Sequence, residues 1–391
     1  MFRPKCVATT AGQVIEEDVG DRAILETSAE RFWRSLQWTA DGTSLIASLA
    51  DNSIHTFVVP PDLLDEGQQP HHLSPYCIIP AKEAVNALAA YPLFDLSNPS
   101  TTLVLSSMRD HPIRLNSAIS GHLGASYPLV NPMTEAYICP NSLHFTPHGD
   151  RFIAGSDSLL SLYDLSRPGQ EPITSIQTGP KRKTSEYNAT TNMRGLVSAL
   201  AVDSSSGLLA AGTFGRQIGL YAAMGQGECV GVFSVKDTIA DGHIGGSGIT
   251  QVAWSQNGRY LYITERKSDG VIIYDIRKTG QLLSWLVGRN AHTNQRLSIN
   301  LTSTDEEGGL EIWGGGVNGD VRVWKDPHHQ EGPVSPAFSF KAHDDAVSGT
   351  VVHSGGAVLA TASGQRHFGA TLDQSELDRK VMDNTIRIWS L

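Results

Sequence analysis

The feature that most constrains this chain is internal repetition: three short stretches of alternating apolar and polar residues, joined by tight turns, recur seven times. The first unit reads Ser35–Trp38, Leu45–Leu49 and Ile54–Phe57, with Asp41-Gly42 and Asp51-Asn52 as its turns. The second and third run Ala87–Tyr91, Thr102–Ser106 and Arg109–Leu115, then Ser142–Phe145, Arg151–Gly155 and Leu160–Asp164. The fourth and fifth are Ser198–Val202, Leu208–Gly212 and Ile218–Tyr221, then Thr250–Trp254, Tyr260–Thr264 and Val271–Asp275. Arg296–Leu301, Leu310–Gly314 and Val321–Trp324 make the sixth, and Ser348–Val352, Val358–Ser363 and Asp383–Trp389 the seventh. Alternation with a period of two marks half-buried strands. One such unit cannot bury its apolar face alone, whereas seven neighbours can bury one another's.

An aromatic residue closes the third strand in six units (Phe57, Tyr163, Tyr221, Tyr274, Trp324, Trp389), and Asn116 stands there in the second. The intervals between these positions are 59, 47, 58, 53, 50 and 65 residues, longer than the ~40–45 of a WD40 blade, so the excess lies in loops. A fourth strand fits between units, as in Glu228–Phe233 and Leu282–Val287. The sequence therefore predicts an all-β fold, a seven-bladed WD40-type β-propeller over 31–391 preceded by an N-terminal segment, 1–30. The seventh unit ends at its third strand, and an open strand edge invites aggregation. An N-terminal strand must complete the last blade; Lys5–Thr9 and Ala23–Thr27 both qualify, and the cleaner alternation favours Ala23–Thr27. Between the last two strands, residues 365–382 form a long insertion in which Asp373–Lys380 reads as a short helix.

In the seventh unit His343, Thr361 or Ser363, Asp383 and Trp389 occupy the places of the hydrogen-bonded structural tetrad of WD40 blades. A Ser-His-Asp hydrolase would need a nucleophile elbow as well, and none exists. Gly242-His243 reads as the same structural signal ahead of the fifth blade. The Gly314–Gly319 run lacks the Lys-Ser/Thr of a phosphate loop. The His71-His72 and His328-His329 pairs have no companion ligand in sequence, so neither metal nor cofactor is expected. The four cysteines are widely spaced, which suits free thiols in a reducing compartment. No apolar run suggests a secretory signal or a membrane span. The chain reads as a non-enzyme without a membrane or small-molecule partner.

The chain carries 30 Lys+Arg against 40 Asp+Glu, a net charge of -10, so any contact with nucleic acid must be local. Residues 60–85 are acidic through Asp62, Asp65, Glu66 and Glu83. Lys181, Arg182, Lys183, Arg194 and Arg216, opposed by Glu186, fall in loops that open on one propeller face, with Arg266, Lys267, Arg289 and Arg296 following. Such a sector can hold phosphates and stack on exposed bases; equally, it can meet an acidic peptide, and Lys181–Lys183 suits a nuclear-import patch.

Several segments resemble one family. They are Trp38-Thr-Ala-Asp-Gly42, Ala50-Asp-Asn52 with Pro60-Pro-Asp-Leu63, Arg109-Asp-His-Pro-Ile113, Arg167-Pro-Gly169, Gly215-Arg216 with Leu220-Tyr221, Thr293-Asn-Gln-Arg296 and Leu359-Ala-Thr-Ala-Ser-Gly-Gln-Arg366. In colinear order over Arg31–Leu391 they are similar to the telomerase Cajal body WD-repeat protein family, including its fungal relatives associated with U1 small nuclear ribonucleoprotein (snRNP) and splicing. The resemblance implies a nuclear, non-catalytic scaffold that binds small nuclear or small Cajal body RNA and supports snRNP or telomerase ribonucleoprotein assembly and localisation. Its partners would be that RNA and the proteins of its particle. The candidate contacts are Arg109, Arg216, Arg266, Lys267, Arg289, Arg296 and Arg366. The competing expectation is a protein-interaction scaffold in splicing or chromatin complexes with no direct RNA contact.

Overall fold

A computed structural model describes residues 4–11, 31–65, 69–180, 192–278, 280–304, 308–366 and 383–391. It is all-β, with seven sheets of four or five strands. Blade 1 runs from Trp33–Trp38 through Ser44–Leu49 and Ser53–Val58 to Cys77–Pro80, each strand antiparallel to its neighbour. The next five blades repeat that plan, starting at Val85, Ser142, Val197, Ile249 and Ile299. The burial follows the plan: the second strand of blade 1 is buried at every position, whereas outer strands such as Thr174–Gln177 and Phe338–Lys341 alternate with solvent. First strands therefore pack side by side around the axis and fourth strands form the rim.

The ring is held by seven apolar clusters, one at each junction between blades. The junction of blades 7 and 1 joins Leu36, Leu45 and Ala47 to Ala360, Ala362, Ile386 and Ile388. It also contains fully buried Ala8, because the strand that completes blade 7 is Lys5–Thr9. This corrects the sequence preference: Ala23–Thr27 lies outside the described residues, and Lys5–Thr9 pairs antiparallel with Ile386–Ser390, Ala8 opposite Ile388 and Thr9 opposite Arg387. Alternation scores half-burial, but this strand is covered on both edges, since His71–His72 adds in parallel outside it. Its Thr10 continues the ladder, donating from its amide to Ile386 O at 3.0 Å and accepting from the Ile386 amide at 2.9 Å.

Blade 5 has a similar outer cover, Gly332–Val334 running parallel to Leu282–Leu286. The helix expected over Asp373–Lys380 lies outside the described residues, as do Lys181, Arg182, Lys183 and Glu186. Among the described residues no helix is long and apolar enough to cross a membrane.

Candidate nucleic-acid interface

A repeated irregularity positions the first functional side chain. In five blades the pairing of the first strand slips, between Trp33 and Ser35, Val85 and Ala87, Val197 and Ala199, Ile249 and Gln251, and Val347 and Gly349. A bulge leaves its extra residue out of the ladder and re-aims the side chain. In four of these blades that residue is Asn86, Ser198, Thr250 or Ser348; in blade 1 it is Arg34. The sequence reading missed Arg34, whose only signal is a large cation at a position where the other bulged repeats carry a small polar residue.

Arg34 belongs to a set of three guanidiniums. Arg296, just ahead of the first strand of blade 6, donates from Nη2 to the carbonyl of Asn141 in blade 3 at 3.2 Å, so its side chain crosses the central channel. Burial, and then repulsion from Arg34 and Arg266, brings the Arg296 pKa down to about 10, which leaves it protonated at neutral pH. Phe214 sits among them, its ring 4.5 Å from the Arg266 guanidinium carbon and 5.8 Å from that of Arg296, within cation–π range. Arg266 also donates from Nε to Ser247 O at 3.3 Å. Among the described residues no carboxylate pairs with any of the three. Carbonyl dipoles and a ring face orient Arg266 and Arg296 without neutralising them, and Arg34 adds a third positive charge beside Arg296, which leaves the channel mouth able to take an anion.

The second-to-third-strand turns around this mouth present further cations. Arg109 is exposed in the turn of blade 2, and Lys267 in that of blade 5, where its left-handed backbone (φ 53°) is fixed by a 2.9 Å bond from its amide to Thr293 O. Arg366 is exposed at the start of the last-blade insertion. Two motifs singled out by the sequence meet here: Gln295 Nε2 donates to Gly364 O at 2.9 Å. Gln365 Nε2 then reaches Asp345 at 2.6 Å.

Two candidates lie elsewhere than expected. Arg216 is buried, with Nε and Nη2 on the two oxygens of Glu265 at 2.6 and 2.8 Å and Nη1 and Nη2 on those of Asp241 at 3.1 and 2.6 Å. Burial opposes its charge, but these two carboxylates more than offset that and raise its pKa. It is a lock between blade 4, blade 5 and the short helix Ile239–Ile244, with four of its five N–H donors spent on two carboxylates. Arg289 is 1% exposed and donates from Nη2 to Leu297 O at 2.6 Å, while burial lowers its pKa to about 10. It precedes blade 6 as His343 precedes blade 7, and Gly314 stands where blade 7 has Thr361: Trp324 pairs with Ile312 as Trp389 does with Leu359. A Cβ at Gly314 would lie 3.5 Å from Arg289 Nε. Arg289 and Gly314 thus stand in blade 6 where blade 7 has His343 and Thr361. Counting charges along loops cannot reveal which cations the fold has already used.

In blade 7 a buried relay runs from Trp389 Nε1 to Thr361 Oγ1 at 2.9 Å, from Thr361 to His343 Nε2 at 2.7 Å and from His343 Nδ1 to Asp383 at 3.1 Å. Ser363 Oγ donates to the Asp383 carboxylate at 3.0 Å. Burial alone would raise the Asp383 pKa, but the bonds from His343 and Thr385 hold it well below the carboxylate range; burial keeps His343 neutral. Every member is enclosed, so the relay rigidifies the blade and offers no surface nucleophile. His243 differs from its sequence reading: it is exposed at the end of the short helix and stacks on Trp285 at 5.4 Å.

The WD domain, G-beta repeat family matches residues 227–274, within blades 4 and 5. Over 384 residues the chain is 29% identical to human "Telomerase Cajal body protein 1", covering 93% of this chain and 66% of that protein. The chain resembles the telomerase Cajal body WD-repeat proteins. Fungal relatives share the likeness: 29% identity over 304 residues to Schizosaccharomyces pombe "Guanine nucleotide-binding protein negative regulator 1" (76% of this chain, 72% of that one), and 27% over 264 residues to Vanderwaltozyma polyspora "Protein SWT21" (65% and 58%). The chain thus spans slightly under two thirds of the human relative's length.

Proposed function

We propose that this WD-repeat propeller is a nuclear, non-catalytic scaffold that binds small nuclear or small Cajal body RNA and supports assembly and localisation of an snRNP or telomerase ribonucleoprotein. The observation that carries this reading is the group of three un-neutralised guanidiniums at the channel mouth of an otherwise acidic protein: Arg266 and Arg296 against Phe214, with Arg34 beside Arg296. Exposed Arg109, Lys267 and Arg366 extend it. Phosphates would sit on the guanidiniums, and an unpaired base could stack on an arginine plane or the free part of Phe214. The names of the animal relatives favour a Cajal body particle.

The test is RNA affinity at several salt concentrations. Arg266→Ala and Lys267→Ala should each weaken binding several-fold and flatten the salt dependence by about 0.7 per lost phosphate contact on a log–log plot. Folded variants that bind like the parent, or a parent that ignores small nuclear and Cajal body RNAs at low salt, would reject the reading. Crosslinking in cells then separates the alternative: partners that persist after ribonuclease treatment, with no direct RNA adduct, mark a protein-only scaffold.

A further inference from the structure

The strap between blades 5 and 6 carries three side chains that the RNA reading leaves unused. After the third strand of blade 6, Asp326 takes a left-handed conformation (φ 46°) and Pro327–His329 wind into a single turn. This brings one donor atom each from Asp326, His328 and His329 within 4.8 Å of one another. By sequence the histidine pair lacked a companion ligand; the fold supplies Asp326.

The parts are held rather than loose. Asp326 Oδ1 accepts from the Leu310 amide at 2.7 Å, the Asp326 amide donates to Leu310 O at 2.8 Å, and the His329 amide donates to Asp326 O at 3.0 Å. Ser284 Oγ of blade 5 donates to Pro327 O at 2.8 Å. The His328 ring lies 4.9 Å from that of Tyr260 and 4.3 Å from that of His329, which hold its orientation, while its Nδ1 is buried without a partner. A buried imidazole nitrogen with no partner is unfavourable.

From this geometry we propose that Asp326, His328 and His329 bind one divalent transition-metal ion of the zinc class. Two imidazoles and a carboxylate select zinc, nickel, cobalt or copper over magnesium or calcium, which prefer oxygen alone. One carboxylate oxygen and two neutral rings leave a fourth position for water. The ion would rigidify the turn that leads into Gly332–Val334, the outer cover of blade 5, where Ser284 of that blade already holds Pro327.

The experiment is calorimetric titration of the whole chain with Zn2+ at neutral pH, beside Asp326→Asn, His329→Ala and a His71→Ala/His72→Ala control. His329 is exposed and asparagine keeps an oxygen for the Leu310 amide, so both variants should fold, as circular dichroism would verify. One ion should bind per chain, and each strap substitution should weaken it at least tenfold while the control binds like the parent. No zinc binding by the parent, strap variants that bind equally well, or binding lost only in the control would overturn the proposal.

Discussion

Removing residues 1–11 should destabilise the whole ring rather than trim a tail. Lys5–Thr9 holds four register pairs with Ile386–Ser390, Thr10 adds two bonds to Ile386, and Leu73 donates to Thr9 O at 2.9 Å. At about 1 kcal/mol net per hydrogen bond, losing most of these amounts to roughly 4–5 kcal/mol. Truncation also uncovers Ile386 and Ile388, both 0% exposed, which adds roughly 1–2 kcal/mol at ~25 cal/mol per Å2 of apolar surface. The sum is comparable with the whole stability of many folded proteins, ~5–15 kcal/mol. With a urea slope of ~3 kcal/mol/M, the unfolding midpoint should fall by about 1.5 M or more. A synthetic peptide of residues 1–11 added in trans should restore part of the loss by re-forming the strand. An unchanged midpoint, together with no effect of the peptide, would refute the closure argument.

Two further outcomes follow from buried charges. Arg216→Ala should destabilise by about 3–5 kcal/mol, because Glu265 is then buried without its cation; urea unfolding checks this, and a neutral effect would mean that Glu265 takes up a proton or water readily. Acidification should weaken the fold: burial pushes the His144 pKa down to about 4, and its Nε2 accepts from the Val202 amide, which requires the neutral ring. The unfolded chain takes the proton near its ordinary 6.5 while the native ring resists until about 4. The contribution is therefore full above pH 6.5 and is lost as the pH falls through that window, about 2 kcal/mol by pH 5 from His144 alone. His343 and His55 shift in the same direction. Thermal unfolding at pH 7.5 and 5 measures this, and His144→Gln should flatten the difference.

The sequence by itself determined the number of blades, the strand order within each and the need for an outside strand to finish the last one. Those properties depend on local alternation and on counting repeats, which a linear string carries in full. It also marked Thr293–Arg296 and Leu359–Arg366 as special, and the fold joins them through Gln295 and Gly364. What only the tertiary structure decided was the use of each charge. Arg216 and Arg296 look equivalent in loops, yet two carboxylates brought in from other segments enclose the first, while the second spans the channel to a carbonyl of blade 3. Arg34 gained its place through a strand bulge, and Asp326 joined two histidines through one left-handed residue. A charge is neutralised by whatever lies within a few ångströms of it, and for Arg216 and Arg296 those neighbours come from segments tens to more than a hundred residues away in sequence.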